Sequence, residues 1–244
     1  MRVQDVLIKV DLDGVIRDWN QSLITEYKKR NTGRVVYPFS EFKLQSAFPD
    51  CDVIGKFYEE TAAYDIYRNA KPYAGAIEFV ELLIARYPNV WLVTTQYANT
   101  MFPTIEWVQT FIPSHGNLPI VFSKEKGLIG QGKFAHTILI DDAPHNLESE
   151  VRHGGTAVCF GQLYNFNNPD HNKWLNFFGD TDFSLEAESE RIKKQYQMIL
   201  DYLPVWFEKY CVKVVRLNES DCSCWGDHNG MVANPQCLLH GSRK

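Results

Sequence analysis

Short apolar runs with strand character recur along the chain and alternate with segments in which apolar residues keep helical spacing. This alternation constrains the fold more than any other feature, because strands separated by helices form a parallel sheet with crossover helices. We therefore predict an α/β fold built on a doubly wound parallel sheet. The predicted strands are Val6–Val10, Val90–Val93, Pro119–Phe122, Thr137–Ile140 and Thr156–Phe160.

Two segments between these strands have clear helical spacing. Ala74–Arg86 places Ile77, Val80 and Leu83 on one face, and Pro103–Phe111 starts with a proline that suits the first helical turn. Both segments fit crossovers that pack on the sheet. A further amphipathic helix is predicted after the sheet region, at Leu185–Lys209.

An insertion of about Trp19 to Tyr73 separates the first strand from the second. It is too long for a simple crossover, and its segments Trp19–Lys29 and Val53–Tyr64 are themselves predicted to be helical. We interpret it as a small helical cap over an active site. The predicted organisation is a core of residues 1–18 and 74–180, a cap of 19–73, a helix within 181–210 that packs on the core, and an extension of 211–244.

Charge and composition narrow the class of partner. The net charge of -5 gives no long-range attraction for polyanions, so we expect a small-molecule substrate and no extended nucleic acid. The first apolar run is interrupted by Lys9 and is too short for a signal peptide or a membrane span, which predicts a cytoplasmic protein without a membrane partner. The sequence leaves both a monomer and a homodimer open.

Polar residues suited to phosphate chemistry follow four of the predicted strands. Because ligand sites of doubly wound sheets form at the carboxyl ends of strands, we expect these side chains to lie together. Taken singly, each has a simpler explanation as a turn former, a helix cap or a solvated charge. The set consists of Asp11 and Asp13, Thr94 and Thr95, Lys124 and Lys126, and Asp141 and Asp142.

Phosphoryl transfer explains why these residue types occur together. A carboxylate that attacks phosphorus requires a cation to hold the dianionic substrate and an acid to protonate the departing alkoxide. Asp11 is the predicted nucleophile and Asp13 the predicted acid and base, while Gly14 lets the chain turn sharply. Asp142, with Asp141 as a second candidate, would complete the oxygen ligands of Mg²⁺.

The phosphate itself requires donors and a positive charge. Thr94 and Thr95 are the predicted hydroxyl donors to its oxygens. Either Lys124 or Lys126 can supply the charge, since both follow the third strand closely. His145 is a further candidate base, but we favour a packing role because Asp13 already fills the acid and base position.

The order of these motifs resembles that of the haloacid dehalogenase superfamily of phosphatases, over roughly Val6 to Leu147. The resemblance implies an aspartyl-phosphate intermediate on Asp11 and a metal ion that the Asp13 backbone carbonyl also binds. It favours Lys126 over Lys124. It also implies that Asp142 binds the metal ion and that Asp141 hydrogen-bonds nearby groups.

Within that superfamily the chain resembles the 5′(3′)-deoxyribonucleotidases, which carry a helical cap directly after the first motif. The resemblance rests on the segments Asp11–Trp19, Ile66–Pro72, Val90–Thr94, Ser123–Lys126 and Ile140–Asp142. It implies that Trp19, Tyr67 and Arg68 line a nucleoside pocket, where a base stacks on aromatic faces. Packing within the cap is the alternative for Trp19 and Tyr67, and a solvated surface charge is the alternative for Arg68.

The resemblance has two local departures. This chain has Ile66-Tyr67 where the family often has paired aromatics, and Thr95-Gln96 where it has Ser-Pro. These departures bear on the substrate more than on the reaction type.

The predicted function is therefore a magnesium-dependent 5′-nucleotidase that hydrolyses ribo- or deoxyribonucleoside monophosphates. One alternative is a phosphatase of the same chemistry for a polynucleotide 3′ phosphate, a sugar phosphate or a phosphoprotein. The acidic charge argues against polynucleotides, and a cap argues against large proteins. Another alternative is a non-catalytic nucleotide-binding module, which the retention of both Asp11 and Asp13 argues against.

The last part of the chain is rich in cysteine and histidine. Its spacing departs from that of paired Cys-x-x-Cys zinc knuckles, so a structural zinc ion and free thiols both remain open. Cys51 and Cys159 are isolated, and we expect reduced thiols there. The candidate zinc ligands are Cys222, Cys224, His228, Cys237 and His240.

Overall fold

The structure is a computed structural model that describes residues 1–39, 43–165, 174–176 and 188–211. The chain divides after Cys211 into two units, and the second unit, Val212–Lys244, lies outside the described residues. The five candidate zinc ligands all fall in that unit. The zinc site therefore gains no support from the structure and stays a prediction from the sequence.

A parallel sheet forms the centre of the first unit. Its strands are β1 (Val6–Val10), β4 (Val90–Thr94), β5 (Ile120–Phe122), β6 (His136–Asp141), β7 (Thr156–Cys159) and β8 (Leu175–Asn176). In the described residues their spatial order is β5-β4-β1-β6-β7-β8, and every neighbouring pair is parallel. The predicted doubly wound α/β fold is confirmed, and each predicted strand is present with ends shifted by at most one residue.

Alternate residues of β1 face opposite sides of the sheet, and both sides are buried. Val6, Ile8 and Val10 belong to the main apolar core, whereas Leu7 and Lys9 point to the other side and are also fully buried. A strand covered on both faces reads as a continuous apolar run, which is why the run was recognisable in the sequence. Lys9 is the exception, since it places a fully buried charge within this apolar strand.

Helices cover both faces of the sheet. The main core includes side chains of α4 (Ala76–Arg86), α5 (Ala98–Phe111) and α7 (Glu188–Tyr210), whereas Leu147 of α6 (Pro144–Arg152) packs on Ala157 and Cys159 on the opposite face. Within the described residues, no helix is both long and apolar enough to cross a membrane.

Helix α5 departs from the prediction at its start. It begins at Ala98, so Pro103 lies inside the helix and not in its first turn. The start is fixed by Thr100, whose hydroxyl accepts a hydrogen bond from the Tyr97 amide and donates one to the Tyr97 carbonyl. This capping interaction satisfies backbone groups upstream of the proline and extends the helix backward.

The insertion between β1 and β4 has an apolar core of its own. It contains α1 (Trp19–Arg30), the short helix α2 (Ile54–Lys56), a π-helical turn at Phe57–Thr61 and α3 (Ala63–Asn69). Buried side chains of the insertion pack together, and they include Leu23, Tyr27, Phe48, Phe57 and Ile66. Two short antiparallel strands connect the insertion to the core, β2 (Arg17–Asp18) and β3 (Lys71–Pro72).

Candidate active site

A tight turn follows β1 and brings the first motif under the end of β6. The Leu12 carbonyl accepts hydrogen bonds from the amides of Ile16 and Arg17, both at 2.8 Å. Gly14 adopts a left-handed conformation with φ of +80°, and a Cβ atom there would lie 2.3 Å from an Asp142 carboxylate oxygen. Only glycine fits this position, because both the backbone conformation and the close approach of Asp142 exclude a side chain.

Three buried carboxylates meet at the ends of β1 and β6. Carboxylate oxygens of Asp11, Asp141 and Asp142 all lie within 4.8 Å of one another. They meet because β1 and β6 are paired in the sheet, and the Asp11 amide donates to the Ile140 carbonyl at 3.0 Å. Such a set of buried oxygen ligands has the chemistry that Mg²⁺ prefers.

Lys126 joins two of these carboxylates. It lies in a short 3-10 turn after β5, is almost fully buried, and its ammonium group is 2.8 Å from Asp11 Oδ1 and 2.7 Å from Asp141 Oδ2. Burial opposes its charge, but the attraction of Asp11 and Asp141 outweighs burial and raises the pKa of Lys126. The structure thus places Lys126 beside the predicted nucleophile, whereas the Lys124 ammonium lies 5.5 Å from the centre of the Tyr97 ring.

One lysine does not balance three buried carboxylates. Burial raises the pKa of Asp11 to about 7, and the negative charges of Asp141 and Asp13 act in the same direction while Lys126 opposes them. Burial and the neighbouring Asp141 and Asp11 also raise the pKa of Asp142. The cluster therefore has an excess of negative charge that a bound divalent cation would offset.

Asp141 is held by the protein itself. Its carboxylate accepts hydrogen bonds from the Ala143 amide at 2.8 Å and from the Asn146 side chain at 3.1 Å, in addition to the contact with Lys126. These bonds use much of its acceptor capacity. Asp142 lines the neighbouring cavity and accepts a hydrogen bond from the Tyr164 hydroxyl.

Asp13 is paired separately from that cluster. Its two carboxylate oxygens accept hydrogen bonds from the Arg17 guanidinium at 2.6 and 3.0 Å, and the Gln96 side chain donates to it at 2.8 Å. Gln96 also donates to the Thr94 hydroxyl at 3.2 Å. Asp13, Gln96 and Thr94 thus form a connected polar network at the ends of β1 and β4.

A cavity of about 300 Å³ contains most of the residues that the sequence predicted for the site. Thr95 lines it while donating its hydroxyl to the Ser123 carbonyl at 2.9 Å, and His145 lines it from the start of α6. The predicted residues that line the cavity are Asp11, Asp13, Trp19, Thr94, Thr95, Lys126 and Asp142.

Aromatic side chains form another part of the cavity wall. Trp19, Phe39 and Tyr58 come from the insertion and Tyr97 comes from the loop after β4. The Trp19 and Tyr58 rings meet edge to face with their centres 5.2 Å apart. The cavity therefore combines charged groups suited to a phosphate with flat apolar faces suited to a ring system.

Two predicted substrate residues are absent from the described lining of this cavity. Tyr67 is 4% exposed and packs against Trp19 with ring centres 5.9 Å apart, so it belongs to the apolar core of the insertion. Arg68 is directed toward Glu106, with 3.9 Å between Nε and a carboxylate oxygen. Both lie on α3, where successive side chains point in different directions, and a contiguous sequence match did not show which of them face the substrate.

Several groups of the site carried only a weak sequence signal. Asn146 lies in the first turn of α6, five residues after its partner Asp141, and a lone asparagine there is a common residue type. Arg17 and Gln96 lie within the motifs but have residue types that usually face solvent. Tyr164 had no local signal, since its hydrogen bond to Asp142 joins residues far apart in the chain.

Asp-x-Asp, Thr, Lys and Asp-Asp lie at one edge of the parallel sheet, which is the arrangement expected of a phosphatase of the haloacid dehalogenase type. Comparison with solved structures agrees on the fold. A haloacid dehalogenase-like hydrolase from Streptococcus pneumoniae is similar, with a TM-score of 0.53, 17% identity, and coverage of 82% of this chain and 99% of that chain. A predicted phosphoglycolate phosphatase from Haemophilus somnus is also similar, with a TM-score of 0.51, 14% identity, and coverage of 81% of this chain and 97% of that chain.

The family can be stated more narrowly. Residues 4–184 match the model of the family described as "5' nucleotidase, deoxy (Pyrimidine), cytosolic type C protein". The chain belongs to this family, and it is therefore a phosphoric monoester hydrolase, with the fold of the haloacid dehalogenase-like hydrolases. No curated protein matches the chain at a significant level.

Proposed function

We propose that the protein hydrolyses nucleoside 5′-monophosphates, with the deoxy forms named by its family as the preferred substrates, to nucleoside and inorganic phosphate. The observation that carries the proposal is the single cavity in which Asp11, Lys126 and Thr94 lie together with the aromatic rings of Trp19 and Tyr58. The charged groups suit the phosphate, and the aromatic faces suit a base. The name of the family supports the same substrate class.

Asp11 is the proposed nucleophile. Its Oδ1 accepts hydrogen bonds from the Leu12 amide at 2.7 Å and contacts the Lys126 ammonium at 2.8 Å. These contacts fix the carboxylate and leave Oδ2 for attack on phosphorus. The attack forms an O–P bond to Asp11 while the bond between phosphorus and the nucleoside oxygen breaks.

Asp13 is the proposed acid and base. In the first half of the reaction it gives a proton to the departing nucleoside oxygen, and in the second half it takes a proton from the water that cleaves the aspartyl-phosphate. The Thr94 hydroxyl, which accepts a hydrogen bond from Gln96, donates to a phosphate oxygen, and Lys126 offsets the negative charge of the phosphate, while the Thr95 hydroxyl stays bonded to the Ser123 carbonyl. Asp13, Thr94 and Lys126 line the cavity.

The donor set fits a magnesium ion. Asp11 and Asp142 would hold it together with the Asp13 backbone carbonyl, since the buried carboxylates lie close together and carry more negative charge than Lys126 balances. When bound, Mg²⁺ supplies charge that holds the dianionic phosphate beside Asp11. Asp141, which the sequence offered as a further ligand, is proposed to position Lys126 and Asn146.

The insertion is proposed to act as the cap of the site. Residues 19–73 would cover the phosphate while their aromatic side chains contact the nucleoside, and residues 1–18 and 74–180 would form the catalytic core. Support comes from the separate apolar core of the insertion and from the three aromatic residues that it contributes to the cavity. The cytosolic location in the family description supports the cytoplasmic location expected from the sequence.

A panel of phosphomonoesters tests this function. Purified protein with Mg²⁺ is assayed for phosphate release from all common ribo- and deoxyribonucleoside monophosphates, and from sugar phosphates of similar size. We expect turnover of nucleotides and a loss of at least about 100-fold in Asp11→Asn, which keeps the side-chain shape but removes the attacking charge. Equal turnover of sugar phosphates would refute the nucleotide assignment, and an active Asp11→Asn would refute the nucleophile.

A further inference from the structure

Arg17 is a fully buried arginine that the proposed chemistry does not use directly. It lies in β2, at the point where the chain leaves the first motif and enters the insertion. A guanidinium is charged at every pH at which the protein is folded, and burying it is costly unless its donors are satisfied. Its partners therefore indicate what the residue does.

The first partner is Asp13. Nε donates to Oδ1 at 2.6 Å and Nη2 donates to Oδ2 at 3.0 Å, which is the two-pronged geometry that a guanidinium fork offers a carboxylate. Gln96 donates to Oδ2 as well, at 2.8 Å. Both oxygens of Asp13 are thus fixed in direction, so the carboxylate does not rotate freely at the edge of the cavity.

The other side of the guanidinium contacts two different parts of the protein. Nη1 donates to the Tyr67 carbonyl in the insertion at 3.1 Å and to the Thr104 hydroxyl of α5 at 3.3 Å. The group also lies 5.1 Å and 5.3 Å from the ring centres of Tyr67 and Trp107, at cation–π distance. One side chain therefore connects Asp13 to both the insertion and the catalytic core.

We propose that Arg17 is a positioning residue, which orients the Asp13 carboxyl group toward the leaving oxygen and couples that orientation to the seating of the insertion. This role rests on the proposed function, in which Asp13 is the acid. Arg17 itself does not touch the substrate. In the first half of the reaction its effect falls on the proton that protonated Asp13 passes to the nucleoside oxygen as the P–O electron pair moves onto that oxygen, and in the second half on the proton that Asp13 takes from water.

Comparison of substrates with different leaving groups distinguishes this positioning role from a general structural role. A nucleoside 5′-alkoxide is a poor leaving group and requires the proton, whereas p-nitrophenolate departs from p-nitrophenyl phosphate without one. Misplacement of Asp13 should therefore slow the release of nucleoside in the first half of the reaction and spare the release of p-nitrophenolate, whereas the second half is the same for both substrates. A loss of folded protein, or damage to Asp11, would lower both activities by the same factor.

The experiment compares, as a ratio, the single-turnover rate constant for nucleoside release from the best nucleoside monophosphate with that for p-nitrophenolate release from p-nitrophenyl phosphate, with enzyme in excess, so that the shared second half of the reaction does not enter. For Arg17→Lys, which keeps the charge but not the fork, we expect the ratio to fall at least about tenfold, within the 10²–10⁴ contribution of a complete acid. KM for the nucleotide should change less than kcat, because Lys126 and Thr94 are untouched. An equal loss on both substrates, or no loss on either, would overturn the proposal.

Reference variants make the outcome specific. Asp13→Asn measures the full loss of the acid, and an unchanged ratio of nucleotide rate to p-nitrophenyl phosphate rate in this variant would refute the acid role of Asp13. If the ratio falls in Asp13→Asn but not in Arg17→Lys, the role of Arg17 alone is overturned. Thr104→Val removes an acceptor of the guanidinium and leaves Asp13 intact, so a smaller fall in the ratio is expected. If Arg17→Lys does not fold, an unchanged ratio in Thr104→Val overturns the proposal. Arg86→Lys, on the exposed end of α4, is the control.

Discussion

Replacement of Lys9 by Met should destabilise the protein strongly, although Lys9 is only one residue of an otherwise apolar strand. Its ammonium group is fully buried and donates to Glu150 at 2.6 Å and to the carbonyls of Lys126 and Ile129 at 2.9 and 3.1 Å. Glu150 also accepts a hydrogen bond from the Thr137 hydroxyl. Methionine keeps the length and apolar stem of lysine, so the change removes the charge and little volume.

The expected loss follows from what the substitution leaves behind. Glu150 would remain buried without its cation, and two carbonyls would lose a donor, so the free energy of unfolding should fall by about 3–5 kcal/mol. In a domain of this size about 2–4 °C of unfolding temperature corresponds to 1 kcal/mol, which gives a decrease of about 6–20 °C.

The directions of the two pKa shifts add a second expectation. Burial lowers the pKa of Lys9 and raises the pKa of Glu150, in each case against the attraction of the partner. Desolvation therefore exceeds the attraction between them, and a pair of this kind contributes little net stability although breaking it is costly. The double variant Lys9→Met with Glu150→Met should lose less stability than the sum of the two single variants, by at least about 1 kcal/mol.

Urea unfolding followed by circular dichroism, together with thermal unfolding, measures these differences. A lower midpoint at unchanged slope would mean that native stability has changed and not the compactness of the unfolded chain. Lys28→Met is the matched control, because Lys28 is exposed on α1 and its loss should stay within about 0.5 kcal/mol. A decrease of less than about 3 °C for Lys9→Met, or strict additivity in the double variant, would refute the reasoning.

Three further outcomes are expected. Gly14→Ala should lower kcat by about 100-fold or more, because its Cβ would displace Asp142, whereas Gly33→Ala shares a left-handed φ but meets no atom within 4 Å and should retain activity. Saturating Mg²⁺ should raise the unfolding temperature of the wild-type protein, and Asp142→Asn should abolish most of that rise without itself preventing folding. Burial lowers the pKa of the His136 imidazole below 6.5, and the positive charge of Lys9 acts in the same direction. The neutral imidazole therefore contributes to stability above pH 6.5, and this contribution is lost as pH falls through the folded-state pKa. His136→Gln should therefore lose less stability than the wild type between pH values of about 7.5 and 5.5 in thermal unfolding.

The residues at the strand ends were predictable because parallel strands place their carboxyl ends at one edge of a sheet. Asp11, Thr94, Lys126 and Asp142 each follow an apolar run that is recognisable without any knowledge of its neighbours. Their meeting in one cavity required only that the runs pair in parallel. Local pattern and general topology were therefore sufficient for this part of the site.

Side-chain direction within the insertion was not predictable in the same way. The sequence match offered Tyr67 and Arg68 as substrate residues, but Tyr67 packs inside the insertion and Arg68 is directed toward Glu106. Phe39 and Tyr58 line the cavity instead. Which face of a short helix meets the cavity depends on how the insertion packs, and the spacing of apolar residues alone does not report it.

The sequence by itself determined the alternation of strands and helices, the strand-end motifs and hence the class of chemistry, because these depend on local spacing. Only the tertiary structure decided the partners of the buried charges. Lys9 and Glu150 are 141 residues apart in the chain, and Arg17 joins Asp13 to Tyr67 and Thr104 from separate elements. Such contacts arise when the chain is folded and water is excluded, so the residue types alone, which usually face solvent, give no sign of them.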